Sequence, residues 1–154
     1  MLAGATPVLV HNCDDGDLVS AVQGRYNEIT DPNSSGYQSI RQRGPVLTGV
    51  KDRLTGDVKL GQNGGDFPNN LHPSLAARLE GDGADGWYPG SSGVHGEIHA
   101  LNDLLWGREA AGLSTEIDDS FVFYSMRLRG SAQGQQILRC GSCFTLTGGA
   151  DELG

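Results

Sequence analysis

The chain has 154 residues, 37% of them hydrophobic and 19% charged, which fits one domain with a single core. A formal net charge of -8 and a pI near 4.7 argue against attraction to nucleic-acid phosphates through the overall field. No apolar run approaches the roughly 20 residues of a membrane span. The first residues lack the basic start and long apolar stretch of a signal peptide, so any export is expected to depend on something outside this sequence.

Local charge and cysteine spacing refine this view. Two cysteines are spaced as Cys140-x-x-Cys143 and a third lies alone, which favours a metal or redox pair over a secreted disulfide framework. The basic residues are consistent either with local positive patches or with solvated strand and loop positions. Seven of the eleven fall into three groups, namely Arg41 and Arg43, Lys51 and Arg53, and Arg127, Arg129 and Arg139.

The first predicted elements are a short strand and a weak helix. Residues 7–10 (PVLV) predict a strand that ends at His11 and Asn12. The polar stretch that follows places a boundary between residues 12 and 13, so 1–12 and 13–154 are treated as separate units. Residues 18–26 have weak helical spacing, and a turn cluster follows at 31–36.

A β-hairpin is the clearest local signal. Apolar and polar residues alternate over 46–53 and 57–61 around Leu54-Thr55-Gly56, as in two paired strands. The elements predicted after it are a helix over 71–80, a Gly-rich loop over 81–93, a helix over about 93–111, a strand over 121–128 and a short helix opened by the cysteine pair. This order predicts an α/β or α+β sandwich in which helices cover a sheet.

Four residues at two predicted helix starts point to metal chemistry. His95, Cys140 and Cys143 offer one nitrogen and two thiolates to a zinc ion, with a fourth position left to water, which is a catalytic coordination set. Such a zinc lowers the pKa of its water towards 7. Glu97 is placed to carry a proton from that water to a ring nitrogen and then to a leaving amine. His-x-Glu followed by Cys-x-x-Cys is the signature of zinc-dependent nucleobase deaminases.

Two other interpretations of these residues stay open at this point. His99, four residues after His95, can join the same metal and give a closed His₂Cys₂ structural site without catalysis. A structural site does not require Glu97, and we therefore favour the catalytic interpretation. A redox pair is third, since the βα pattern that flanks the cysteines lacks the right approach strand and a second βαβ unit.

At these residues the chain resembles the cytidine-deaminase-like superfamily, and more narrowly the bacterial polymorphic-toxin deaminases of the YwqJ-like group. The resemblance covers about residues 44–148 and rests on four segments: 61–63 (GQN), 70–73 (NLHP), 94–102 (VHGEIHALN) and 139–143 (RCGSC). Arg139 replaces the usual Pro, and Gly96 the usual Ala. Only eleven residues follow Cys143, too few for two further strands, so either the sheet is shortened or an earlier segment fills it.

The resemblance implies roles for the residues around the zinc site. Asn63 corresponds to an asparagine that contacts the sugar of the bound nucleotide, although it can equally be a turn residue that tolerates left-handed backbone. A base that is single-stranded or flipped out needs an aromatic partner to stack on. Trp87, Tyr88 and Phe67 are the candidates, and each can instead be a core or surface aromatic.

The N-terminal segment adds a separate resemblance. Residues 7–13 (PVLVHNC) are similar to the end of a pre-toxin region and to the C-terminal junction of Hint domains. In that chemistry the Asn side chain attacks its own carbonyl and breaks the chain. Release would then occur between Asn12 and Cys13, with residues 1–12 a remnant of the carrier. An ordinary strand with a polar end is the simpler alternative.

These resemblances imply a zinc-dependent deaminase that converts cytosine to uracil in nucleic acid. The expected partner is a single-stranded nucleic acid, either DNA or RNA, with single-stranded DNA as the favoured substrate. The deaminase would be secreted as part of a larger toxin, act as a monomer in the target-cell cytoplasm without a membrane partner, and bind a cognate immunity protein. Deamination of a free nucleoside or nucleotide is an alternative that suits the acidic charge better. A zinc-stabilised binding module without turnover is another.

Overall fold

The computed structural model describes residues 15–81 and 94–154, so the predicted strand at 7–10 and the boundary after residue 12 lie outside the described residues. The elements are α1 (Gly16–Thr30), β1 (Val46–Asp52), β2 (Val58–Gln62), α2 (Pro73–Gly81), α3 (Gly96–Ala110), β3 (Phe121–Arg127), α4 (Gly141–Leu146) and β4 (Asp151–Glu152). The predicted α/β sandwich is confirmed. Every predicted helix and strand within the described ranges is present, and α1 extends past the weak pattern that predicted it.

The sheet is mixed and has the order β2-β1-β3-β4. β1 pairs antiparallel with β2 and with β3, and β3 pairs parallel with β4. In the central register Val46 lies opposite Arg127 and Thr48 opposite Ser125. These pairs bring the start of β1 and the end of β3 to the same end of the sheet.

Each face of the sheet carries its own core because side chains alternate along a strand. On one face Leu18, Val22 and Ile29 of α1 pack with Leu47 and Val122. The other face is covered by α2, α3 and α4, whose buried residues surround a set of strand residues comprising Val50, Phe121 and Phe123. The second face bears the candidate functional site.

The sheet has a short strand at its β4 edge. β4 has two residues and meets β3 through Val122 and Phe123, with Leu153 donating a further backbone bond to the Phe123 carbonyl at 3.0 Å. In the part of the chain that the structure describes, no strand from earlier in the chain lies beyond β4. Among residues 15–81 and 94–154, no helix has the length and apolar character to cross a bilayer.

Candidate metal centre and adjoining cavity

Two helix starts meet at the end of the sheet. His95 directly precedes α3 with extended backbone (φ −72°, ψ 145°), and Cys140 occupies the same position before α4 (φ −67°, ψ 164°). The Cys140 sulfur also accepts a hydrogen bond from the Cys143 amide at 3.4 Å, which caps the short helix. One helix start thus presents both cysteines, and the other presents the histidine.

The three side chains converge. The His95 Nδ1 lies 2.9 Å from the Cys143 Sγ and 3.5 Å from the Cys140 Sγ, and all three donor atoms lie within 4.8 Å of one another. Cys140 is exposed and Cys143 is buried, and neither is in a disulfide. Burial raises the pKa of the Cys143 thiol, and the Glu97 charge adds to the effect. His95, Cys140 and Cys143 thus form a metal-ligand group, that is, a group that can hold a metal ion.

Backbone contact between two glycines holds the histidine in place. A Cβ on Gly96 would lie 2.5 Å from the Gly61 carbonyl oxygen, and a Cβ on Gly61 would lie 2.1 Å from the Gly96 oxygen. Any side chain at either position would therefore push α3 away from β2. Gly96, which the sequence marks only as a departure from Ala, is required by this packing, and it lies between His95 and Glu97.

Glu97 is buried beside the metal-ligand group. Its side chain is 4% exposed, and its Oε2 has no hydrogen-bond partner among the described residues. Buried polar atoms are nearly always paired, so an unpaired carboxylate oxygen requires an explanation. One explanation is strain that the fold tolerates, and the other is that this oxygen serves a ligand.

A small cavity of about 60 Å³ opens next to the metal-ligand group. His95, Glu97 and Cys140 contribute to its wall, and the remaining lining residues are Val46, Asn63, Ser125, Ile137 and Leu138. A larger groove of about 670 Å³, lined by residues such as Arg78 and Asp118, shares none of these residues. The size of that groove does not make it the active site, because it lacks the metal-ligand group and the unpaired carboxylate.

Asn63 lies at the cavity wall and is tied to α3. Its Oδ1 accepts a hydrogen bond from the Gly96 amide at 2.9 Å, and its backbone amide donates to the Val46 carbonyl at 3.0 Å. The side-chain amide thus caps the first turn of α3. A sugar contact by Asn63 stays a prediction. The side-chain NH₂ group is the part of Asn63 that would make it, because the Oδ1 is used in this cap.

The other predicted residues have different surroundings. Phe67 packs against the core on the α3 face and is not among the residues that line the cavity. Trp87 and Tyr88 lie outside the described residues. His99 Nε2 is 3.2 Å from the Gly64 carbonyl oxygen, and His99 does not belong to the metal-ligand group. The arrangement therefore disfavours the closed His₂Cys₂ site.

Arg139, which stands where the family usually has Pro, connects Cys140 to β4. The Arg139 amide donates to Glu152 Oε1 at 2.6 Å, and its Nε lies 3.4 Å from Glu152 Oε2. Its guanidinium also reaches the Thr147 hydroxyl at 2.5 Å and lies 4.7 Å from the centre of the Phe123 ring. β4 therefore supports Cys140 through this arginine.

Sequence reasoning missed the apolar and hydroxyl lining of the cavity. Ser125 and Thr48 share a buried hydrogen bond of 2.8 Å across β1 and β3, and only Ser125 reaches the cavity. Serine in a strand gives no distinguishing signal. Only the register, which places Ser125 opposite Thr48, would have found it.

Comparison with known proteins identifies one similar toxin. The chain is 31% identical over 128 residues to Toxin YwqJ of Bacillus subtilis (strain 168), an alignment that covers 79% of this chain and 21% of that protein. The chain therefore spans about a fifth of the relative that it matches. No protein-family profile and no solved structure matches the chain.

Proposed function

We propose that this chain is a zinc-dependent hydrolytic deaminase that converts cytosine to uracil in nucleic acid, with single-stranded DNA as the favoured substrate. The observation that carries the proposal is the environment of Glu97. Its carboxylate is buried, has an oxygen without a partner among the described residues, and lines the same cavity as His95 and Cys140. A carboxylate in that position is suited to proton transfer.

The donor set fits zinc. Imidazole nitrogen and thiolate sulfur are the ligands of zinc sites in proteins, and three protein ligands with one open position are typical of catalytic sites. His95, Cys140 and Cys143 would hold the ion. When bound, zinc supplies the Lewis acidity that activates water at neutral pH.

The chain's own residues account for the proton transfers. Hydrolytic deamination adds water across the C4=N3 bond of cytosine and then breaks the bond between C4 and the amino group. Ammonia leaves, and C4 becomes a carbonyl carbon. Glu97 accepts the proton of the attacking water and delivers it to N3, and it then assists transfer of a proton to the departing amino group. The burial of Glu97 excludes bulk water that would compete for these protons.

The size of the cavity bears on how the base enters. A volume of about 60 Å³ is smaller than the ~150 Å³ that accommodates a benzene ring. The exposed side chain of Leu138 lies at the cavity rim, and it is 59% exposed. We expect Leu138 to rotate aside when a flipped-out base enters, with only the reacting edge of the base reaching Glu97.

The biological setting is part of the same proposal. The relative is named as a toxin, and a nucleic-acid deaminase would be toxic to a cell that receives it. We therefore propose that the chain is the toxic part of a larger secreted bacterial protein that acts in the target-cell cytoplasm. A cognate immunity protein would protect the producing cell.

The test is conversion of cytosine to uracil in a single-stranded DNA oligonucleotide and in a matched RNA. Wild-type protein with assayed zinc content is compared with Glu97→Gln, which keeps the size of the side chain and removes its base function. We expect product with wild type and a loss of at least about a thousandfold with the variant, while the zinc content stays equal. Equal rates for the two proteins would overturn the role of Glu97.

Two further measurements separate the alternatives. Faster turnover of cytidine than of either oligonucleotide would favour a nucleoside deaminase. In a zinc-stabilised binding module, His99→Ala would remove the metal and Glu97→Ala would change nothing. The deaminase proposal predicts that His99→Ala retains the metal, because the His99 imidazole Nε2 is directed to the Gly64 carbonyl.

A further inference from the structure

Acidic residues are absent from two long stretches of this acidic chain. Residues 32–51 and 120–150 contain no Asp or Glu but six basic residues, whereas the rest of the chain holds all nineteen acidic residues and only five basic ones. The two stretches thus carry six positive charges and no negative one within a chain of net charge -8, a distribution that favours a local positive field. Local fields of this kind attract anionic ligands despite the net charge.

The fold places these two stretches side by side at the cavity. The first contains most of β1 and the second contains β3, and the two strands pair along their length. Val46, which lines the cavity, lies opposite Arg127. Ser125 also lines the cavity, and Arg127 projects from the same face of β3, because it lies two residues further along the strand.

A buried arginine joins the loops beyond the strands. Arg43 donates to the Leu128 carbonyl at 3.2 Å and to the Gln38 carbonyl at 2.8 Å, and the Leu128 amide donates to the Pro45 carbonyl at 2.9 Å. The loop before β1 and the end of β3 are therefore in contact. Arg41 and Arg129 are exposed residues of these two segments.

Most basic residues of the described chain are engaged internally. Hydrogen bonds or ion pairs within the protein occupy Arg25, Arg43, Lys51, Arg53, Arg78, Arg108 and Arg139. Within residues 15–81 and 94–154, the basic side chains without such a partner are Arg41, Lys59, Arg127 and Arg129. Three of these four belong to the two acid-free stretches.

We propose that Arg127, together with Arg41 and Arg129, binds the phosphates next to the nucleotide whose base enters the cavity. This inference rests on the proposed function and makes it more specific. The substrate is then a phosphodiester strand, not a free nucleoside, because the nucleoside carries no group for these arginines. The planar guanidinium suits this role, since it donates two parallel hydrogen bonds to a phosphate.

The chain offers a matched control in Lys59. It is exposed, lies on β2 opposite Val50, and is four residues from Asn63, or roughly 13 Å along an extended strand. Arg127→Glu and Lys59→Glu change the net charge equally. Only the first changes the charge beside the cavity.

Binding is measured without turnover, by fluorescence anisotropy of a labelled 12-nucleotide oligothymidylate that contains no cytosine. We expect Arg127→Glu to raise Kd about tenfold and to reduce the slope of log K against log salt concentration by about 0.7, the value for one phosphate contact on a single strand. Lys59→Glu should change Kd less than about twofold. Circular dichroism checks that both variants are folded.

A second arm measures kcat/KM for deamination. Arg127→Glu should lower it about tenfold on a cytosine-containing oligonucleotide, whereas Lys59→Glu should lower it less than about twofold. Equal weakening of oligonucleotide binding by Arg127→Glu and Lys59→Glu would overturn the phosphate site even if deamination is found. A loss of binding confined to Arg127→Glu in a protein without turnover would retain the phosphate site and overturn the deaminase.

Discussion

Each end of α3 buries a charged side chain, and the two ends differ in whether the protein satisfies the hydrogen bonds of that side chain. At the C-terminal end, Arg108 is fully buried and donates to both oxygens of Asp52 at 2.7 Å. It also donates to the Ser120 hydroxyl at 2.6 Å and lies 3.7 Å from the centre of the Phe121 ring. At the N-terminal end, Glu97 is almost as buried but keeps an oxygen without a partner among the described residues.

This difference distinguishes a buried charge that supports the fold from a buried charge in a candidate functional site. A buried charge whose hydrogen bonds are all made by the protein has no capacity left for a ligand. A buried charge with an unpaired atom is costly in the folded state, and such costs concentrate at functional sites. One helix therefore carries both, with the Asp52–Arg108 pair fixing its end and Glu97 left available.

The largest expected effect comes from breaking the paired end. Arg108→Met leaves Asp52 buried without its partner, and the free energy of unfolding should fall by about 3–5 kcal/mol. Glu97→Gln removes a charge that the protein does not compensate, and stability should change by less than about 1 kcal/mol. Urea denaturation of both variants beside wild type measures the difference.

The opposite order of effects would contradict the comparison. If Glu97→Gln proved the more destabilising change, the Glu97 carboxylate would be part of a structural network. Urea slopes that stay equal among the three proteins would show that the differences lie in stability and not in the unfolded chains.

The group of residues that could hold a metal ion could be predicted from the sequence because the signal is local. His95 with Glu97, and Cys140 with Cys143, are close in sequence, and each group lies at a helix start whose pattern the sequence also shows. Their chemistry is specific enough to bring the two groups together without a structure. The hairpin and β3 follow in the same way from alternation of apolar and polar residues.

What could not be predicted depends on contacts between distant parts of the chain. Asp52 and Arg108 are separated by 56 residues, and neither residue type indicates a buried partner. The pairing of Arg139 with Glu152 and the contact of Gly61 with Gly96 likewise depend on how strands and helices pack. From the sequence, Gly96 is only a glycine at a position where the family usually has Ala. The sequence does not show that a Cβ at this position would lie 2.5 Å from the Gly61 carbonyl oxygen.

The contact between Gly61 and Gly96 gives a test with a smaller expected effect on stability. It asks whether this contact fixes the start of α3, where Glu97 lies. Gly61→Ala places a methyl group against the Gly96 carbonyl, and we expect a loss of about 1–3 kcal/mol in stability. The displaced α3 start should also weaken zinc binding about tenfold, measured by competition with a chromophoric chelator. Gly107→Ala, in the same helix with nothing within 4 Å of its Cβ, should instead stabilise by up to about 1 kcal/mol.

A zinc affinity that Gly61→Ala leaves unchanged would show that the backbone contact does not position His95. A loss of stability in Gly107→Ala would indicate that α3 does not tolerate an added methyl group even where space is open. The stability loss in Gly61→Ala could then not be attributed to the contact with the Gly96 carbonyl.

The smallest expected effect is the pH dependence of the paired end. Burial raises the pKa of Asp52, but the hydrogen bonds from Arg108 and the Leu54 amide outweigh it, so the pKa lies below the usual 3.8. A lowered pKa means that the contribution of this carboxylate to stability is complete above the unfolded value of about 3.8 and is lost as the pH falls through the folded value. Wild type should therefore lose this contribution only in acid.

In Arg108→Met the buried Asp52 has no cation beside it, so its pKa should be raised and its protonation should relieve the strain as the pH falls. The difference in unfolding free energy between wild type and variant should then be largest near neutral pH. It should shrink as the pH falls through the raised pKa of Asp52 in the variant, and continue to shrink down to the lowered pKa of Asp52 in wild type. Asp151, whose pKa is also lowered, is present in both proteins and largely cancels in the difference. Hydrogen bonds from Ser120 and the charge of Arg108 lower the pKa of Asp118, so this pKa should rise in the variant and add a smaller change of the same sign. A difference that stays constant from pH 7 to pH 3 would show that Arg108 stabilises by packing against Phe121 and not by its charge.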